Sequence, residues 1–216
     1  MNFLITAGGT REYIDPVRFI SNASSGKMGH ALAEAAISAG HKVTLITTVK
    51  NSEFRTQNSK IKVVNVETAE EMFVAVERFF PKCDCLIMAA AVSDYTPSKR
   101  AKNKIRKSNK PLAVKLKPTI DILKWAGGEN KKLKIKNKEA KIVVGFALGD
   151  KVVRKNVEEK LKRKNLDMVV ANSVAAIGAE NVAVDIKTAN GRWVRMPIAR
   201  KTVVAARIIR LAENLY

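Results

Sequence analysis

Histidine and cysteine are the scarcest chemically versatile residues in this chain of 216 residues, with two of each. Cys83 and Cys85 lie too close together for an ordinary structural disulfide framework, and a single C-x-C beside two histidines is poor zinc-site material. Both thiols are expected to be reduced and partly packed at the start of a strand. Aromatic residues make up only 6% of the chain, which leaves little stacking surface for single-stranded nucleic acid. Neither zinc-finger spacing nor a clear helix-turn-helix signal accompanies them. Long apolar runs are also missing. The longest, such as residues 86–92, are far too short to span a bilayer, and residues 1–6 lack the basic start and extended apolar stretch of a signal peptide. A cytoplasmic location without membrane association is the expectation.

Acid is absent where base is most abundant. The chain holds 40 Lys and Arg against 20 Asp and Glu, a net charge of +20. Residues 1–98 carry 10 of each sign, so the whole excess falls in the second half. Residues 99–117 hold nine cations and no carboxylate. Such a field attracts polyanions: nucleic acid, anionic membrane or multiply phosphorylated small molecules. Lysines that merely decorate a solvated face account for much of the excess.

With 46% hydrophobic and 28% charged residues, the composition is globular, and the length suits one α/β domain over residues 1–216. Apolar runs at 2–6, 42–47, 61–66 and 85–90 read as strands, and helical periodicity marks 26–39 and 69–80. Ser24 or Ser25 could cap the first of these helices. Residues 93–110 have no apolar period and read as a long loop, which in a compact domain is usually functional or disordered. Beyond it come a short strand at 112–116, a short helix at 120–126, a lysine-rich connection at 127–141 and a strand at 142–147. A helix over 151–164, a strand at 168–171, a hairpin at 182–186 and 193–196 turned by Asn190-Gly191, and a helix from 198 to about 215 complete the chain. This alternation predicts a three-layer α/β/α sandwich, Rossmann-like, with a mostly parallel central sheet of about six or more strands and a small hairpin near the C-terminus.

In such a sheet ligands sit at the carboxyl ends of the strands, so residues 7–10, 89–95 and 146–150 should converge on one crevice. The first turn lacks G-x-G-x-x-G, and the second strand ends in Thr47-Thr48 without a ribose-binding acid. Both absences weaken a nicotinamide dehydrogenase reading. A P-loop fails as well, because Ser25-Gly26-Lys27-Met28 lacks the upstream glycine and the hydroxyl after lysine. Two readings remain for Gly26 to Gly29. The first helical turn offers free N–H groups to an anion, or its glycines let the helix pack closely on the sheet.

The stretch from Ile5 to Gly29, ITAGGTREYIDPVRFISNASSGKMG, closely resembles the opening of phosphopantothenoylcysteine synthetases, the amide-forming ligases of coenzyme A biosynthesis. The later motifs follow in that family's order: AAAVSDYTP at 89–97, KIRK at 104–107, LKPTIDIL at 116–123, VGFA at 144–147 and KLKRKNLDMVVAN at 160–172. The resemblance implies coupling of 4′-phosphopantothenate to L-cysteine, with CTP as co-substrate and Mg2+ as cofactor, through an acyl-cytidylate. It also implies a homodimer and a separate phosphopantothenoylcysteine decarboxylase as pathway partner. No specific nucleic-acid partner is implied.

Residue by residue, the resemblance assigns catalysis to Asn22, at the acyl-cytidylate carbonyl, and to Lys104, on the triphosphate from a flap loop around 93–110. It assigns nucleotide binding to Gly8, Gly9, Ala90, Ala91, Val92, Asp94, Asp121, Ile122, Phe146, Lys160 and Lys164, and acid-substrate binding to Arg18, Ser25 and Gly26. The metal ligands stay unassigned. Lys160 and Lys164 lie four apart and share a helix face, although with Lys162 and Arg163 beside them they also read as a solvated face. Phe146 reads nearly as well as a core aromatic, Asp94 as a turn residue, Asn22 as an ordinary loop asparagine, and Arg18 as a surface arginine paired with Asp15. Two departures from the family pattern bear on nucleotide choice: Ile120 stands where relatives usually have proline, and Gly145-Phe-Ala-Leu-Gly-Asp150 replaces G-F-A-A-E-T. A doubly wound NAD(P)-dependent oxidoreductase and a basic nucleic-acid-binding module are the competing readings.

Overall fold

The computed structural model describes residues 1–50, 60–136, 138–149 and 154–216. Its first strand, β1 (Asn2–Ala7), is buried along all but its first residue. A hairpin follows, β2 (Arg11–Tyr13) with β3 (Phe19–Ser21), and then helix α1 (Lys27–Ser38). Strands β4 (Lys42–Thr47) and β5 (Ile61–Asn65) precede α2 (Ala69–Phe79) and β6 (Cys85–Met88). The short strands β7 (Tyr95–Pro97) and β8 (Leu116–Pro118) lead to α3 (Ile122–Ile135), β9 (Ile142–Gly149) and α4 (Arg154–Arg163). Strand β10 (Met168–Ser173), the hairpin β11 (Asn181–Thr188) and β12 (Trp193–Arg200), and α5 (Lys201–Glu213) close the order.

Eight strands form one sheet in the order β12-β11-β10-β9-β6-β1-β4-β5. Of these only β11 runs against its neighbours, so the sheet is mostly parallel, as the alternation predicts. Because β12 reverses β11, it ends at the same edge as β9 and β10, and α5 begins there. One face of the sheet packs under α1 and α5, where Leu32, Ala33, Ala36, Val204 and Ile208 meet Ile5, Val144 and Val170. The other packs under α2, α3 and α4 through Met72, Val76, Ala126, Val157 and Leu161. Each large apolar side chain removed from water on either face contributes about 1.5–3 kcal/mol. Helix α2 starts with a capping box, Thr68 accepting from the Glu71 N–H while Glu71 reaches back to the cap; such caps stabilise by about 0.5–2 kcal/mol.

Several boundaries differ from the sequence reading for physical reasons. Neither Ser24 nor Ser25 caps α1; Gly26 does, at a φ of 76° and without a side-chain bond. The helix expected over 120–126 runs on to Ile135 through Gly127-Gly128, taking in most of the lysine-rich connection. A Cβ at Gly127 would lie 1.8 Å from the Lys164 carbonyl oxygen, so the glycine is what lets α3 lie against the end of α4. The strand expected at 112–116 sits at 116–118, paired with β7 inside the segment read as loop. Residues 11–21, to which the sequence reading gives no element, form the hairpin β2–β3. Residues 198–200 belong to β12 rather than to the terminal helix. Residues 150–153, part of the expected helix over 151–164 and of the expected crevice, lie outside the described residues. Both cysteines are free and buried, as expected. Burial pushes the Cys83 thiol up to about 12 and raises Cys85 as well, so neither supplies a thiolate near neutral pH.

Candidate functional site

A cleft of about 500 Å³ opens over the carboxyl ends of β6 and β9 and runs between the two helical layers. Its floor is the segment Met88 to Val92 with Phe146 and Leu148. This segment is stitched to β1 and its following turn. Ala91 N–H donates to the Gly8 carbonyl at 2.8 Å, Thr10 N–H donates to the Ala91 carbonyl, and Ala90 N–H donates to Thr6 Oγ1 at 3.1 Å. Asn22 lies over the floor, its Nδ2 donating to the carbonyls of Ala91 and Val92, each at 3.2 Å. Gly9 allows this approach, because a Cβ there would stand 2.6 Å from the Asn22 carbonyl oxygen.

One wall comes from α3 and α4. Asp121 caps α3 by accepting from Lys124 N–H at 3.0 Å, and the same carboxylate takes an ion pair from Lys164 Nζ at 2.7 Å. Burial alone would raise the Asp121 pKa, but Lys164 and the Lys124 N–H outweigh it and hold the carboxyl below its ordinary value. Lys160 reaches the strand end, donating from Nζ to the Phe146 carbonyl at 2.6 Å. Its pKa is lowered by burial and then by repulsion from Lys164, with Asp121 and Asp94 acting the other way.

The opposite wall comes from α1 and α5. Ser25, Gly26, Lys27, Met28 and Gly29 line it, and Lys201 joins them at the first residue of α5. Gly29 sets the closeness of α1 to the sheet, since a Cβ there would meet the Ala7 Cβ at 2.5 Å and the Thr6 oxygen at 2.8 Å. The close-packing reading of the glycine-rich turn therefore holds, and the same packing brings the first turn of α1 to the cleft.

Twelve of the residues singled out from the sequence line this cleft: Asn22, Ser25, Gly26, Ala90, Ala91, Val92, Asp94, Asp121, Ile122, Phe146, Lys160 and Lys164. Four do not. Gly8 and Gly9 stand behind the floor as spacers, the first at a φ of 88°. Arg18 pairs with buried Asp15 at 2.5 Å and donates to the Ile105 carbonyl. Lys104 is exposed on a loop tethered to the β2–β3 hairpin, because Asp15 accepts Ile105 N–H at 3.1 Å and Ala101 N–H donates to the Ile14 carbonyl. The Asp15 carboxyl is held far below the carboxylate range. Burial opposes this, but the N–H groups of Val17, Arg18 and Ile105 and the Arg18 guanidinium together prevail. Of the three segments expected to converge, 7–10 supports the crevice from behind, while 89–92, Asp94, Phe146 and Leu148 line it. Lys27, Thr119, Asn172 and Lys201 also line the cleft and were missed as site residues. Lys27, Thr119 and Asn172 fall inside the quoted motifs, whereas no local pattern marks Lys201.

A mostly parallel sheet with a lysine-lined cleft at its carboxyl edge, between two helix layers, defines a doubly wound α/β domain suited to a phosphorylated ligand. The chain belongs to the family of DNA/pantothenate metabolism flavoprotein C-terminal domains, whose profile matches residues 1–215. It is 42% identical over 210 residues to a cysteine/cysteine sulfinic acid decarboxylase from an unknown prokaryotic organism, a match covering 95% of this chain and 56% of that protein. It is 37% identical over 211 residues to the coenzyme A biosynthesis bifunctional protein CoaBC of Bacillus subtilis, covering 96% of this chain and 50% of the other. The chain thus spans about half the length of the curated relatives it matches. The crystal structure of the C-terminal domain of a CoaBC protein superposes with a TM-score of 0.77 at 34% identity, covering 99% of this chain and 96% of that one. Among the described residues no helix is long and apolar enough to cross a membrane.

Proposed function

We propose that this chain is a phosphopantothenate–cysteine ligase that uses CTP. The supporting observation is the convergence of Asn22, Asp94, Asp121, Phe146, Lys160 and Lys164, drawn from distant segments, on one cleft. The similarity to the CoaBC C-terminal domain adds weight. The reaction joins two anions before it joins an acid to an amine, which is why cations on both walls matter. The carboxylate of 4′-phosphopantothenate attacks the α-phosphorus of CTP, the bond to the bridging oxygen breaks, and pyrophosphate leaves. The amine of L-cysteine then attacks the acyl carbonyl, loses a proton, and CMP departs.

In this reading Lys160 and Lys164 hold the nucleotide phosphates as mobile point charges, and Asp121 keeps Lys164 extended toward them. Ala90 to Val92 and Phe146 receive the base, and Asp94 the ribose. Asn22 donates its amide to the oxygen that gains charge as cysteine attacks, a role that needs no titration. Lys104 serves activation once residues 93–110 leave the Asp15 tether and close over the cleft. The cleft suits a magnesium ion that arrives with the nucleotide, since Mg2+ keeps several waters and binds through substrate phosphates, and Lys160 and Lys164 line the cleft where those phosphates would lie. Among the described residues no cluster of three or more His, Cys, Asp or Glu makes a separate cage. When bound, the ion would spread the charge of the departing pyrophosphate.

A homodimer is part of the same reading, with Arg18 reaching the acid substrate across the interface. Val17, Phe19 and Ile20, exposed beside Arg18, give the hairpin an apolar surface fit for that contact. The product then passes to a separate phosphopantothenoylcysteine decarboxylase. The test is pyrophosphate release that requires both CTP and 4′-phosphopantothenate, followed by cysteine-dependent CMP release. Thermal stabilisation by NADPH alone, or by a DNA duplex in a salt-sensitive manner, would instead favour the oxidoreductase or the nucleic-acid module.

A further inference from the structure

Two cations and one carboxylate meet where α1 and α5 begin. Lys201 is 8% exposed and donates from Nζ to the Ala176 carbonyl at 3.0 Å. Its backbone N–H donates to the Glu180 carbonyl at 3.0 Å. Lys27 pairs with the Glu180 carboxylate, whose side chain is largely exposed. Both lysines line the cleft. Burial, then repulsion from Lys27, lowers the Lys201 pKa, while Glu180 acts the other way. An ammonium carries three N–H groups, and the Ala176 carbonyl takes one of them. A buried cation is stabilised by an anion far better than by a carbonyl dipole.

We propose that Lys27 and Lys201 hold the phosphate of the acid substrate, and that Glu180 is the internal anion this phosphate displaces. The inference rests on the ligase reading, in which the α3/α4 wall is taken by the nucleotide, so the second phosphorylated substrate falls to the α1/α5 wall. Charge balance supports it. Two lysines and one carboxylate leave a single positive charge, whereas two lysines without Glu180 match a phosphomonoester of about −1.5 to −2 at neutral pH. Releasing Glu180 to solvent costs little, because the pair is solvent-exposed and such pairs contribute little to stability. The terminal phosphates of CTP share the same chemistry, and the two sources are separated by experiment.

Calorimetric titrations of wild type, Lys201→Met, Lys201→Arg and Glu180→Gln with 4′-phosphopantothenate, pantothenate, CTP with magnesium, and inorganic phosphate test the inference. Wild type should prefer 4′-phosphopantothenate over pantothenate. Lys201→Met should erase most of that preference, weakening 4′-phosphopantothenate binding about 10- to 100-fold, with CTP affinity and melting temperature retained as proof of folding. Lys201→Arg should keep the preference, and Glu180→Gln should tighten 4′-phosphopantothenate binding severalfold. A preference untouched by Lys201→Met, or a loss that falls on CTP instead, overturns the inference. Inorganic phosphate probes the subsite without either substrate. If its binding depends on Lys201 while 4′-phosphopantothenate does not bind, the ligase reading fails and the anion site stands; if phosphate binding ignores Lys201, the inference fails.

Discussion

The two walls of the cleft present positive charge by different means. On the α3/α4 wall the charge lies in side chains that reach in from a helix face: Lys160 on the Phe146 carbonyl and Lys164 on Asp121. On the α1/α5 wall it lies at the first residues of two helices, Lys27 and Lys201, beside backbone N–H groups that a glycine-rich turn carries to the cleft. One wall depends on which residues stand at four-residue spacing. The other depends on where the chain begins a helix and how closely that helix lies on the sheet. Each wall is nevertheless set by one glycine at a backbone contact, Gly127 against the Lys164 carbonyl and Gly29 against β1.

The largest expected effects come from cutting chemistry at the floor and at the lysine wall separately. Asn22→Asp places a carboxylate against the Ala91 and Val92 carbonyls and against the oxygen that gains charge during aminolysis, while keeping the side chain's shape. It should release pyrophosphate but retain acyl-cytidylate after L-cysteine is added. Lys160→Met should instead make little intermediate, with pyrophosphate release slowed about 10²–10³-fold by analogy with a lost transition-state donor. Mass spectrometry after a short incubation distinguishes them, and a common block before pyrophosphate release would remove the division of roles.

Glycine substitutions come next. Gly127→Ala should destabilise the domain by about 1–3 kcal/mol in spite of alanine's higher helix propensity, because the new methyl meets a backbone oxygen. The neighbouring Gly128→Ala, with nothing within 4 Å of its Cβ position, should stabilise by about 0.4–1 kcal/mol. Gly29→Ala should match Gly127→Ala in sign. Denaturant melts of the three variants check this contrast, and a neutral Gly127→Ala would mean that α3 and α4 can separate freely.

Alkaline pH should affect both walls to a smaller degree. Lys160 and Lys201 have folded-state pKa values below that of an unfolded lysine. Between the two values the unfolded chain holds the proton that the native chain has lost, so stability rises with pH in that window. Binding of anionic ligands falls in the same window, since the neutral amine no longer attracts phosphate. The loss in CTP affinity should vanish in Lys160→Met and the loss in 4′-phosphopantothenate affinity in Lys201→Met, as titrations at several pH values would read. The smallest effect is expected away from both walls. Neutralising exposed Lys131 and Lys132 on α3 and Lys136 at its C-cap should leave turnover within about twofold at ~0.15 M salt, where screening acts over ~8 Å. A larger loss would extend the site, or an interface, onto the α3 surface.

On the α3/α4 wall, spacing puts Lys160 and Lys164 on one helix face and Phe146 in an apolar strand, but with Lys162 and Arg163 beside the two lysines only the family resemblance marks them, and Asp121, as site residues. Phe146 fits its core reading, packing against the core on the α1/α5 face, and it also lines the cleft. The extended α3 was illegible because Gly127-Gly128 is a stop signal in isolation, and only the approach of Lys164 explains its use inside a helix. Arg18 and Lys104 lie inside the quoted motifs, yet buried Asp15 engages the Arg18 guanidinium and holds the Lys104 loop through Ile105 N–H, so neither lines the cleft.

The sequence by itself determined the alternation of strands and helices, the parallel sheet and the edge where ligands gather, because hydrophobic periodicity and crossover geometry are properties of short segments. Tertiary structure alone decided that Lys201 faces Lys27. That meeting requires β11 to reverse the chain and β12 to reverse it again, which returns α5 to the carboxyl edge beside α1. The pairing of residues 27 and 201 is therefore a consequence of topology, and no pattern within either segment encodes it.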